Sequence, residues 1–164
     1  MAYVTEADFI NKFSITKGDF NTDKINEYIS RYETITLQRL LGVELFDLWE
    51  AGLVATDPIY EFLRDPFTVQ LDNGMILNSR GTKDVILGVV YFHLAVDGYT
   101  MQTINGSVES KGENSDKANL LTANVQSRYN EAVDSYDAIQ LYVCDNLDVY
   151  PTFKGVHMEI LSTF

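Results

Sequence analysis

Cysteine, basic side chains and long apolar runs are scarce in this chain, and each shortage excludes something. The single cysteine, Cys144, leaves no partner for an internal disulfide, which fits a reducing compartment. Asp145 and Asp148 beside it work against a thiolate, and no histidine lies near it in sequence to act as a base. Cys144 therefore reads as a small core residue. Twelve Lys and Arg stand against twenty-four Asp and Glu, a formal net charge of -12. That excess argues against binding nucleic acid or an anionic membrane through a basic face. Acidity keeps a protein soluble, and an acidic wall would also keep DNA from adhering. The longest apolar run, Val85 to Val96, covers about 12 residues, short of the roughly 20 that a membrane span needs. The N-terminal MAYVTEADFINKF has no basic segment followed by an apolar one, so no signal peptide is expected.

What is present is enough for one globular domain. The chain has 164 residues, 46% hydrophobic and 22% charged, a composition outside the disordered range and long enough for a real core. The organising stretch is Thr82 to Thr103, TKDVILGVVYFHLAVDGYTMQT. A segment apolar all round is one that other elements cover on every side, so it reads as the central core helix. Its β-branched residues leave a strand over Val85 to Tyr91 as the competing reading. Gly88 and Gly98 each cost about 1 kcal/mol against alanine unless a neighbour approaches closely there.

The other elements follow by local chemistry. Thr5 to Lys12 reads as a short helix capped by Thr5. Asn21-Thr22-Asp23 starts a helix whose Ile25, Tyr28, Ile29, Tyr32, Ile35 and Leu40 recur at helical spacing, and Gly42 ends it as a left-handed residue. Val43 to Ala51 is a second helix, with Gly52 as its stop. Asp57-Pro58 is a cap followed by proline at the first helical position, and Pro66 ends that turn. Asp72-Asn73-Gly74 between short apolar runs predicts a hairpin over Phe67 to Asn78, its two central residues at positive φ. The long final helix is expected over Leu120 to Leu147, with Val125, Tyr129, Ala132, Tyr136, Ile139, Val143 and Leu147 in register, antiparallel to the central helix. Pro151 closes it. The tail from Tyr150 to Phe164 carries Phe153, Val156, Met158, Ile160, Leu161 and Phe164. A tail that apolar packs on its own domain or on a neighbour.

No catalytic, cofactor or metal motif appears. His93 lies inside the core helix and reads as a satisfied buried histidine; with Asp97 alone it makes no metal site. His157 is expected on the surface. Gly106 and Gly112 lack the strand–helix frame of a phosphate loop. Some pair among the carboxylates can in principle act as acid and base, but solvated surface groups are the default. Tyr28, Tyr32, Tyr129 and Tyr136 sit on helical stripes and read as core. The polar arm, residues 104 to 118, is too long for a tight connection, and its Lys111 and Lys117 are too few for an electrostatic footprint on DNA. The arm is expected to carry a short strand at Thr103 to Ser110. The fold class is therefore mainly α: a helical bundle around the central and C-terminal helices, with a small β-hairpin. Residues 1 to 150 form one domain and 151 to 164 its tail.

The order of an early helix, LLGVELFDLW, a central apolar helix, the NGSVESKG arm, a long helix RYNEAVDSYDAIQLYV and a short tail resembles the head–tail connector (adaptor, head-completion) proteins of tailed phages. The likeness covers about residues 3 to 150, and the hairpin over 67 to 78 is less typical of it. The resemblance implies a non-enzymatic virion subunit, made in the host cytoplasm, that forms a ring of typically twelve copies. Such a ring binds the portal on one side and the next tail or stopper component on the other. DNA passes through without specific binding, with no cofactor and no membrane. By position, the contact candidates are Ser107, Val108, Lys111, Glu113 and Lys117 in the arm, and Tyr150, Phe153 and Phe164 in the tail. The alternative from the residues is a small non-enzymatic adaptor module that binds a cellular protein.

Overall fold

Thr82–Tyr99 and Ser115–Asp145 form the central pair of helices in the computed structural model. Labelled in chain order with the others, these are α4 and α5. The structure describes residues 3–15, 22–103, 106–109 and 115–159, with side chains described except over 98–122. The pair runs antiparallel: Gly88 faces Ala132, while Tyr91, further along α4, accepts a hydrogen bond from Arg128 Nη1 at 2.6 Å, earlier along α5. A Cβ at Gly88 would collide with that of Ala132. The glycine's cost in helix propensity is thus exchanged for close approach of the two backbones. Val85, Ile86, Val90 and Leu94 are buried to within 1%, so the segment is helical and covered on every side as far as Val90. Beyond it Tyr91, Phe92, His93 and Ala95 are half-buried and Val96 is exposed, so the cover expected over the whole run is incomplete at its end.

The first helix, α1 (Thr22–Leu41), lies against α4, again antiparallel, since Tyr28 bonds Asp97 while Tyr32 stacks on His93. Gly42 ends it at φ 81°, and α2 (Val43–Val54) begins at once. Gly52 does not stop α2. It lies inside the helix because the Tyr60 ring packs where its Cβ would be. The turn comes later, where Thr56 takes φ 57°. Asp57 caps α3 (Pro58–Arg64), its side chain accepting the Ile59 N–H at 3.0 Å. Trp49, fully buried, donates its indole N–H to the Tyr60 carbonyl at 3.0 Å and ties α2 to α3.

Two antiparallel hairpins complete the architecture of the described residues. β1 (Phe67–Gln70) pairs with β2 (Ile76–Ser79), Phe67 opposite Ser79. Only Gly74 of the turn has positive φ, and Leu71 N–H bonds Met75 O at 2.8 Å. The connection is thus a three-residue turn closed by a left-handed glycine, not the two-residue turn expected from Asn73-Gly74. β3 (Thr100–Thr103) pairs with β4 (Gly106–Glu109); this second hairpin begins where the sequence suggested a continuing helix and one short strand. At the N-terminus the expected helix is two 3-10 turns, Glu6–Asp8 and Asn11–Phe13. The Asp8 carboxylate accepts both the Thr5 N–H and hydroxyl.

α5 starts earlier than expected and ends at Asp145. Val125, Ala132, Tyr136, Ile139 and Val143 on its stripe are buried, and Tyr129 is half-buried. Leu147 lies beyond its end and is exposed. Cys144 is exposed rather than in the core: it is one residue, about 100° of helical rotation, past buried Val143.

Candidate contact surfaces

Three devices hold the periphery to the bundle. The first is a carboxylate. Glu33, 7% exposed on α1, accepts the backbone N–H groups of Tyr3 at 2.9 Å and Val4 at 3.0 Å. Burial raises its pKa, while those two bonds oppose the rise. Tyr3 packs its ring at a 39° tilt against Trp49 and gives its hydroxyl to Glu50 at 2.7 Å. Beside this anchor lies an open groove of about 340 Å³ lined by Val4, Thr5, Asn26, Ile29, Ser30 and Thr34 with Glu33.

The second device is an ion network at the start of α4. Lys12 Nζ reaches Asp84 at 2.9 Å and Glu131 at 3.4 Å, Arg80 bonds Glu131, and Lys83 bonds Asp8 at 2.6 Å. Arg80 holds the Glu131 carboxyl below the usual range, against some desolvation. Lys83 helps hold Asp8 low in the same way, although burial pushes it up. Networks of this kind contribute more than isolated surface pairs.

The third is the tail. The last carbonyls of a helix have no partner inside it. At the end of α1, Arg39 O accepts the Val156 N–H at 2.7 Å and Leu41 O accepts the Lys154 N–H at 3.2 Å. Gln140 Nε2 donates to Leu40 O at 3.0 Å. Tyr136 gives its hydroxyl to Val156 O, and burial pushes its pKa well above the tyrosine range. This approach needs glycine twice: a Cβ at Gly155 would meet Leu40 O, and one at Gly42 would lie 2.9 Å from Lys154 N. His157 stands 3.4 Å from Asp137 Oδ1, exposed as expected.

The contact candidates separate accordingly. Tyr150 is 2% exposed and donates its hydroxyl to Ile59 O at 3.0 Å. It is a core anchor and offers no surface to a partner, because burying the ring fixes the chain just after α5. Phe153 is half-buried and packs against the core. Ser107 and Val108 lie in β4, and Lys117 lies in the first turn of α5. Lys111, Glu113 and Phe164 lie outside the described residues. The tail therefore serves its own domain as far as residue 159, and β3–β4 is the described part of the arm.

His93 is half-buried, stacked on Tyr32 with ring centroids 3.9 Å apart, and burial lowers its pKa. Tyr28 donates to Asp97, and burial together with that carboxylate pushes the phenol up to about 12. Among the described residues no group of three His, Cys, Asp or Glu side chains is placed to hold a metal ion, and no helix is long and apolar enough to cross a membrane.

Comparison with family models, functionally described proteins and solved structures found no match. Sequence reasoning overlooked Glu33 and Gln140. Glu33 lies one turn from buried Ile29 and Leu37, while Ile35, expected on the apolar stripe, is exposed; a carboxylate on that buried face is the signal that a backbone donor must meet it.

Proposed function

We propose that this protein is a tailed-phage virion subunit, a ring-forming head–tail connector that binds the portal and the next tail component and lets DNA pass. The observation that carries the reading is the order of elements. An early helix steps through Gly42 into α2, a central helix runs antiparallel to a long α5, and the β3–β4 hairpin stands between those two in chain order. A net charge of -12 suits a channel wall that DNA slides past. A cyclic ring needs two different patches on each copy, one meeting the other on its neighbour. The protein's job on this reading is assembly, and it performs no chemistry.

The test is electron microscopy of the purified chain mixed with the portal protein of the phage it would belong to. A coaxial ring of this chain on the portal supports the proposal. A chain that stays monomeric at high concentration and never joins the portal refutes it. Recovery of one defined cellular protein in a stoichiometric complex, with no portal binding, would favour the adaptor reading instead.

A further inference from the structure

The two hairpins are anchored very differently. β2 lies against α5, with Leu77 and Ser79 buried. Among the described residues, β3–β4 pairs within itself and otherwise mainly meets the end of α4 that it continues. A two-stranded hairpin alone is at best marginally stable in water; a third strand or a covering face is the usual remedy. Among the described residues, neither outer edge of β3–β4 has a neighbouring strand in the same sheet.

Edges of this kind are normally guarded by lysine, proline or a bulge. Here β3 and the turn carry no charged residue and no proline, and in the stretch from Gly98 through β4, GYTMQTINGSVE, the single charge is Glu109 at the end of β4 away from the turn. The β3–β4 register runs without a break from Thr100–Glu109 to Thr103–Gly106. Copies of a protein with charge -12 repel one another over most of their surface. They approach most cheaply through a segment with little charge. That singles out a second copy of this chain as the strand's partner.

We infer that β4 of one copy pairs with β3 of the next, so that the hairpins of a ring join into one continuous antiparallel sheet. The geometry closes. Under cyclic symmetry every hairpin points the same way along the axis, so β4 and the neighbour's β3 run antiparallel, the relation they already have within one copy. Closing the sheet on itself removes every edge. The inference names the contact between copies that the ring reading requires, and rests on that reading.

With two residues between paired Thr103 and Gly106, the alternation of an antiparallel ladder turns the backbone groups of Gln102 and Ser107 outward. Proline there removes an outward donor and leaves the hairpin's own bonds. The test is sedimentation of the full chain, of Gln102→Pro, of Ser107→Pro, and of the two variants mixed. The wild type should associate. Each variant alone should associate about tenfold more weakly or not at all. The mixture should form a one-to-one dimer and stop there, because Gln102→Pro keeps its β4 edge and Ser107→Pro keeps its β3 edge. At dilutions where every form is monomeric, circular dichroism should show the same melting temperature for all three. Assembly of either variant at wild-type strength, a mixture that stays monomeric, or a wild type monomeric at every concentration overturns the inference. If the variants still form rings on the portal, edge pairing falls while the connector reading stands.

Discussion

The two hairpins have the same strand length and opposite situations. β1–β2 is part of the body: Phe67 and Leu77 are buried, Ser79 Oγ donates to Ser135 O at 3.2 Å, and Ser135 Oγ accepts the Arg80 N–H at 3.2 Å. Among the described residues, β3–β4 continues the chain from α4 and otherwise mainly meets the end of that helix. Strand pairing alone therefore does not distinguish a structural hairpin from one left available. What distinguishes them is where each packs: β2 lies against α5, whereas among the described residues β3–β4 mainly meets the end of α4.

Perturbations of the body should rank by how much cover they remove. Val90→Asp places an unpaired charge where no surface is exposed and should cost several kcal/mol; circular dichroism should find the variant largely unfolded. Leu77→Ala, in the first hairpin, should destabilise by about 2–4 kcal/mol, read as a lower denaturation midpoint in urea. Ser79→Ala leaves the buried Gly81 N–H without its 3.1 Å partner and should cost about 1–3 kcal/mol. If these two leave stability unchanged, the first hairpin is as dispensable as the second and the contrast fails.

The ion network gives a smaller, pH-dependent effect. Arg80 lowers the Glu131 carboxyl below its ordinary 4.5. A carboxyl lowered in the folded state contributes stability above its ordinary value and loses it as pH falls through the folded value. Glu131→Gln should therefore melt slightly below the wild type at pH 7, and the two should converge in acid; a gap that persists at the lowest pH contradicts this. Smallest of all, deletion of Ser107 to Asp116 should leave the melting temperature of the monomer nearly unchanged while abolishing association. A large loss of stability would make the second hairpin structural too.

Much of the body was legible because its signals are local. Gly42, the Asp57-Pro58 cap, the covered central helix and the first hairpin each follow from a residue's own conformational limits. Gly52 was misread because its reason is tertiary: the Tyr60 ring, eight residues on, fills the space. The turn at Asn73-Gly74 took the longer form because Leu71 pairs with Met75. Cys144 was placed inside because a small thiol near an apolar stripe gives no hint of its phase. For the contact surface, sequence reasoning marked the polar arm by its composition. It did not separate a buried Tyr150 from an exposed contact, because an apolar tail looks the same whether it covers its own bundle or another's.

The most direct test is hydrogen–deuterium exchange at low and high protein concentration. The account predicts that amides of Thr100 to Glu109 exchange fast in dilute protein and become protected as concentration rises, while those of β1–β2 stay protected throughout. Exchange at Thr100 to Glu109 that does not depend on concentration would contradict it.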